Sequence, residues 1–110
     1  MPEPDPAPCD DCERFDGTFS GTGAQALQPD GSYYFTSRSG TQEAWLIGPD
    51  GTDFDLSLYR WTGRNWSRVR TSFSATSEEN IQYNGSSGYY VYLLKSYRGA
   101  GDYRFYLKRP

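Results

Sequence analysis

The stretch Asp53-Phe54-Asp55-Leu56-Ser57-Leu58-Tyr59-Arg60-Trp61-Thr62 decides the fold of this chain. Phe54, Leu56 and Leu58 alternate with Asp53, Asp55 and Ser57. That period of two is the signature of a strand with one buried face. The opposite parity, which should face away from the core, ends in Tyr59 and Trp61. Large rings on a solvent face point to a surface that serves a partner as well as a core.

Working outward, turn clusters divide the chain on both sides of this strand. They are Pro29-Asp30-Gly31, Ser39-Gly40, Gly48-Pro49-Asp50-Gly51, Thr62-Gly63-Arg64-Asn65, Asn84-Gly85 and Gly99-Ala100-Gly101. Between them the pattern predicts eight strands, at 15–22, 32–38, 43–48, 54–62, 65–74, 78–84, 88–98 and 102–109. No segment carries a helical period, so a parallel βαβ arrangement is not expected. The expected class is all-β, a two-sheet antiparallel β-sandwich. Parity assigns a core of Phe54, Leu56 and Leu58, then Val69, Thr71 and Phe73, then Ile81 and Tyr83. Tyr90, Tyr92, Leu94, Tyr103, Phe105 and Leu107 complete it. Facing outward are Tyr59, Trp61, Trp66, Arg68, Arg70, Tyr89, Tyr97, Arg104 and Tyr106.

Composition agrees with this class. The chain has 110 residues, enough for one domain with a modest core, and aromatics make up 17% of it. No apolar run approaches the ~20 residues of a membrane helix, and no charged-then-apolar signal peptide opens the chain. If secreted, the sequence is therefore expected to be a piece of a longer protein. The net charge of −3 is unevenly spread. Residues 1–16 carry six acids against Arg14, a balance of −5, and the other 94 residues carry 8 acids and 10 bases, a balance of +2. That is too weakly basic for nucleic acid. Met1-Pro2-Glu3-Pro4-Asp5-Pro6-Ala7-Pro8 alternates proline and reads as an extended linker. The expected division is a Pro-rich acidic linker at 1–14 and a β-sandwich at 15–110.

The chain contains no histidine, which removes Ser–His–Asp and Cys–His chemistry and His-ligated zinc. Asp53 and Asp55 lie about 7 Å apart on strand geometry. Without a carboxylate across a cleft they make a poor glycosidase pair. They could instead offer oxygens to Ca²⁺, with Asp30, Asp50 or the acidic linker contributing; their plain role is to cap turns and solvate a strand end. Cys9-Asp10-Asp11-Cys12 lacks the helix a redox motif uses and the second ligand pair that zinc needs. A small structural disulfide between Cys9 and Cys12 is the expectation, with free thiols the alternative. The largest constellation is aromatic and basic: Tyr59, Trp61, Trp66, Arg68, Arg70, Tyr97, Arg104 and Tyr106, expected on one side. Flat rings suit sugar faces or a proline-rich ridge, and Arg adds stacking and hydrogen bonds. The alternative is that the rings ladder against one another for stability alone.

Several motifs occur in an order that resembles a known family. They are Thr18-Phe19-Ser20-Gly21-Thr22-Gly23, Ala44-Trp45-Leu46-Ile47-Gly48-Pro49, Asp53-Phe54-Asp55-Leu56, Trp61-Thr62-Gly63, Gly88-Tyr89-Tyr90-Val91-Tyr92 and Ser96-Tyr97-Arg98-Gly99-Ala100-Gly101-Asp102-Tyr103. The set is similar to the bacterial pre-peptidase C-terminal domain over residues 15–110. The resemblance implies a jelly-roll-like sandwich, attached to a secreted peptidase or other hydrolase and without catalysis of its own. It implies secretion, a partner in the parent's catalytic domain, and contact with collagen-like protein or polysaccharide. Some relatives, the collagen-binding domains of clostridial collagenases, use surface aromatics and bind calcium. The chain departs from many members at Ser57, where Tyr is common, and at Arg98, and the relatives' calcium ligands find no match in its spacing. A shared fold does not fix the ligand. The expectation is a monomer that does not contact membrane or nucleic acid and serves as a matrix-binding module, a secretion and folding aid removed on maturation, or a carbohydrate-binding module.

Overall fold

The computed structural model describes residues 8, 9, 11–74 and 76–110. These form nine strands: β1 (Glu13–Phe19), β2 (Gln25–Gln28), β3 (Tyr34–Thr36), β4 (Gly40–Ile47), β5 (Asp53–Trp61), β6 (Trp66–Ser72), β7 (Glu78–Gly85), β8 (Gly88–Arg98) and β9 (Gly101–Lys108). Among the described residues there is no helix. One sheet has the order β1-β9-β4-β7, the other β2-β8-β5-β6 with β3 also on β8, and every pairing is antiparallel. Each sheet takes strands from both ends of the chain, which is the jelly-roll path. The strand missed by pattern reading is β2, whose four residues are too few to show a period.

The core follows from β5. Phe54, Leu56 and Leu58 are fully buried, as are Leu46 on β4, Tyr92 and Leu94 on β8, and Phe105 and Leu107 on β9. Aromatics do much of the filling: Phe19 meets Phe54 edge-on at 4.7 Å, and Tyr92 lies 5.2 Å from Phe105. Such contacts add about 0.5–1.5 kcal/mol each beyond the area they bury.

One expected strand boundary shifts. β1 begins at Glu13 and not at residue 15, because Glu13 and Arg14 pair with Leu107 and Tyr106. Glu13 also holds Arg109 in an ion pair at 2.6 Å, and that guanidinium covers the Tyr34 ring at 4.8 Å. Most of the expected linker, residues 1–7 and 10, lies outside the described residues. Cys9 and Cys12 are joined in a disulfide, as expected.

The core assignment on β6 needs correction. The β5–β6 register pairs Leu58 with Arg70 but Tyr59 with Arg68, so the strand carries an extra residue there. A bulge of this kind places two residues opposite one and resets the alternation. Val69 stays half-buried against the core, whereas Thr71 and Phe73 turn to the outer face, Phe73 with 71% of its surface exposed.

Gly17 pairs with Tyr103 across β1 and β9, and the buried Tyr103 ring occupies the space a Cβ at position 17 would need. The Tyr103 hydroxyl accepts a hydrogen bond from Gln28 Nε2 at 2.9 Å, which fixes the ring. Gly17→Ala should therefore cost about 1–3 kcal/mol, as overpacking does elsewhere. Urea denaturation of the variant checks this, and an unchanged midpoint would mean that the ring moves freely.

Candidate functional site

The outer face of the five-stranded sheet carries a run of rings at one end, all exposed but the half-buried Tyr59. Tyr59 and Trp61 come from β5, Trp66 from β6, Tyr89 from β8, Phe35 from β3 and Tyr33 from the residue before it. Strand alternation sends each outward while its neighbour packs the core: Tyr34 and Tyr90 point inward and stack at 6.0 Å. The β5–β6 hairpin sets Trp61 opposite Trp66, and the β3–β8 pairing sets Phe35 opposite Tyr89.

Centroid distances show a continuous chain of contacts. Phe35 lies 5.0 Å from Tyr89, Tyr89 5.6 Å from Tyr33, Tyr33 5.9 Å from Trp66 and Trp66 5.4 Å from Trp61. All four pairs are tilted or edge-on, the arrangement ring quadrupoles favour. Two hollows of about 270 Å³ share Tyr33 and Trp66 as a common wall. Trp61 and Tyr89 line one; Leu27, Tyr59, Val91 and Leu93 line the other. A more polar hollow of about 410 Å³ follows along the same face, lined by Tyr59 and Leu93 together with Asp55, Arg68, Phe73 and Lys95.

The expectation that eight residues share one side holds for only part of the set. Tyr59, Trp61, Trp66 and Arg68 come together on this face. Arg70 does not: the bulge turns it to the inner edge, where its guanidinium sits 5.2 Å from the Tyr83 ring centre. Tyr97 is 66% exposed but lies eight residues along β8 from Tyr89, roughly 25 Å at strand rise. Arg104 and Tyr106 belong to β9 in the other sheet and face the opposite side of the sandwich. Tyr106 is also buried, between Arg14 and Trp45 in register, with the Arg14 guanidinium 5.9 Å from its ring centre. Tyr33, Phe35 and Leu27 were missed. The spacing of Tyr33 and Phe35 two apart around a buried Tyr34 was the signal that could have found the first two.

At the other end of β5 a second cluster forms. β6 pairs with β5 only as far as Leu56–Ser72, which leaves the β5 edge open at Asp53 and Asp55. Glu79, at the start of β7 in the other sheet, reaches that edge. Carboxylate oxygens of Asp53, Asp55 and Glu79 lie within 4.8 Å of one another and could hold a metal ion. Glu79 is fixed by Ser72 Oγ, by Ser74 Oγ at 2.9 Å and by the Ser74 backbone N–H at 3.2 Å. Neither Asp30 nor Asp50 is in this group.

Burial, then the carboxylates of Asp53 and Glu79, push the Asp55 carboxyl up to about 6, against the pull of Lys95 on β8. The folded state thus binds the Asp55 proton more tightly than the unfolded chain. Stability from this group is present near pH 4 and is lost as pH rises through about 6. Metal-free protein should show that fall in its melting midpoint between pH 4 and 6.5, and Asp55→Asn should flatten it. A midpoint that rises over the same range for native protein and variant alike would contradict the assignment.

Among the described residues no helix is long and apolar enough to cross a membrane. No protein-family model matches the chain. Among solved structures, the chain is similar to the pre-peptidase C-terminal domain of a collagenase from Bacillus anthracis, with a TM-score of 0.72 and 12% identity over 88% of this chain and 89% of that one. It is also similar to the Yersinia pseudotuberculosis-derived mitogen, with a TM-score of 0.69 and 19% identity over 91% and 86% of the two chains. At such identities the likeness is one of fold: this chain has a β-sandwich similar to those of both proteins, on which its own rings and carboxylates are set.

Proposed function

We propose that this chain is a non-catalytic accessory domain of the pre-peptidase C-terminal type, carried by a secreted bacterial hydrolase, a peptidase first of all, and that it holds an insoluble polymer. The observation that carries the reading is the ring run Phe35–Tyr89–Tyr33–Trp66–Trp61 with its two apolar hollows. Rings braced against one another in this way offer a preformed apolar surface, which spares the ligand the cost of ordering side chains. A repeating polymer can occupy such a surface at many places, so weak contacts suffice to keep a tethered catalytic domain near its substrate. The absence of histidine supports a role outside catalysis. The Cys9–Cys12 disulfide supports an oxidising, extracellular setting.

The test is retention of the purified chain on insoluble collagen, chitin, cellulose and peptidoglycan. Retention on collagen alone supports a matrix-binding module of a peptidase, and retention on a glycan supports the carbohydrate-binding form of the reading. Passage through all four overturns it in favour of a secretion or folding aid, whose deletion would then impair export of the parent.

A further inference from the structure

We propose that Asp53, Asp55 and Glu79 bind one Ca²⁺ ion, and that the ion clasps the two sheets together where β6 leaves the edge of β5. The role expected for Asp53 and Asp55 on their own strand thus becomes an inter-sheet one, because the third carboxylate comes from β7 of the other sheet.

Four observations carry this. First, the spacing fits. Two oxygens bound to one Ca²⁺ at 2.3–2.6 Å lie at most about 5 Å apart, and the three carboxylates already fall within 4.8 Å of one another. Second, Asp53 is only 8% exposed, and its Oδ1 is buried without a hydrogen-bond partner. A buried, unpaired acceptor costs about 1–3 kcal/mol, more when charged, unless something binds it. Third, none of the ion pairs among the described residues reaches any of the three carboxylates. Lys95, opposite Asp55 on β8, offsets part of their negative charge and leaves the rest for a cation. Fourth, Glu79 is held in place at 4% exposure by Ser72 and Ser74, so the donor set is built before an ion arrives.

The chemistry selects the ion. All three side-chain donors are carboxylate oxygens, with no nitrogen or sulfur to favour zinc. Three carboxylates binding singly or doubly, with water completing the shell, suit the six to eight loose positions of Ca²⁺ better than the strict octahedron of Mg²⁺. The ring run lies at the far end of β5, six residues from Asp55 and about 20 Å away along the strand. The ion therefore acts on stability and not on polymer contact.

The experiment is thermal unfolding and calorimetric titration of the EDTA-stripped 110-residue chain at pH 7.5, with CaCl₂ or MgCl₂. One Ca²⁺ should bind per chain, and at about a hundredfold excess over its dissociation constant the melting midpoint should rise by about 10 °C or more. Mg²⁺ at the same concentration should give less than half that rise. Glu79→Gln should abolish the calcium response. Asp55→Asn, at a partly exposed position, should do the same while remaining folded. No heat and no shift in the native chain overturns the proposal whatever the variants do. A calcium shift that survives in Asp55→Asn places the ion elsewhere and overturns it too, and an equal shift with Mg²⁺ overturns the choice of ion.

Discussion

Phe54→Ala is expected to remove about 3–5 kcal/mol of stability, the range for deleting a large ring from a close-packed core. Phe54 has no exposed surface and meets Phe19 edge-on at 4.7 Å. Its ring also fills the space beside Gly48, where a Cβ would overlap it. At Phe54, β5 is paired to β8 with Phe54 opposite Ser96, which limits how far the backbone can collapse into the void. Domains of this size hold about 5–15 kcal/mol in all, so the loss is a large fraction of the total. Urea unfolding followed by tryptophan fluorescence measures it. Phe73→Ala is the control, expected within about 0.5 kcal/mol of the native chain because Phe73 is 71% exposed. A loss below about 1 kcal/mol for Phe54→Ala would show that the sandwich closes over the gap.

Trp66→Ala should weaken retention on the polymer about thirtyfold or more, the effect of truncating an anchoring aromatic in a contact surface. Trp66 is the ring common to both hollows and touches Tyr33 and Trp61. Removing it cuts Trp61 off from the other three rings. About a third of its surface is exposed, so the fold should survive with a small change in melting midpoint. Tyr97→Ala should leave retention unchanged, since Tyr97 stands far along β8 from the run. Equal losses in the two variants would mean that the polymer follows the whole length of the sheet. Equal retention in both would remove the ring run as the contact surface.

What could be read from the chain was local. The alternation of Phe54, Leu56 and Leu58 predicted a buried strand face, and all three are fully buried. The outward parity of Tyr59 and Trp61 likewise survived, as did the pairing of Cys9 with Cys12 three residues on. Alternation ceased to inform where the ladder became irregular. A one-residue bulge near Tyr59 sent Arg70 inward and Thr71 and Phe73 outward, and no side-chain pattern announces a bulge.

The sequence by itself determined the all-β class, the position of the central strand and which rings of that strand leave the core, because a period of two follows from the geometry of a single strand. Only the tertiary structure decided which strands share a sheet. That decision set Arg104 and Tyr106 on the side opposite Trp61, and brought Tyr33 and Phe35 to Trp66. It also brought Glu79 to Asp53 and Asp55 across 24 residues of chain, counted from Asp55. The physical reason is that alternation tells a residue whether it faces in or out, while the partner it meets depends on pairings between distant strands, which no local period encodes.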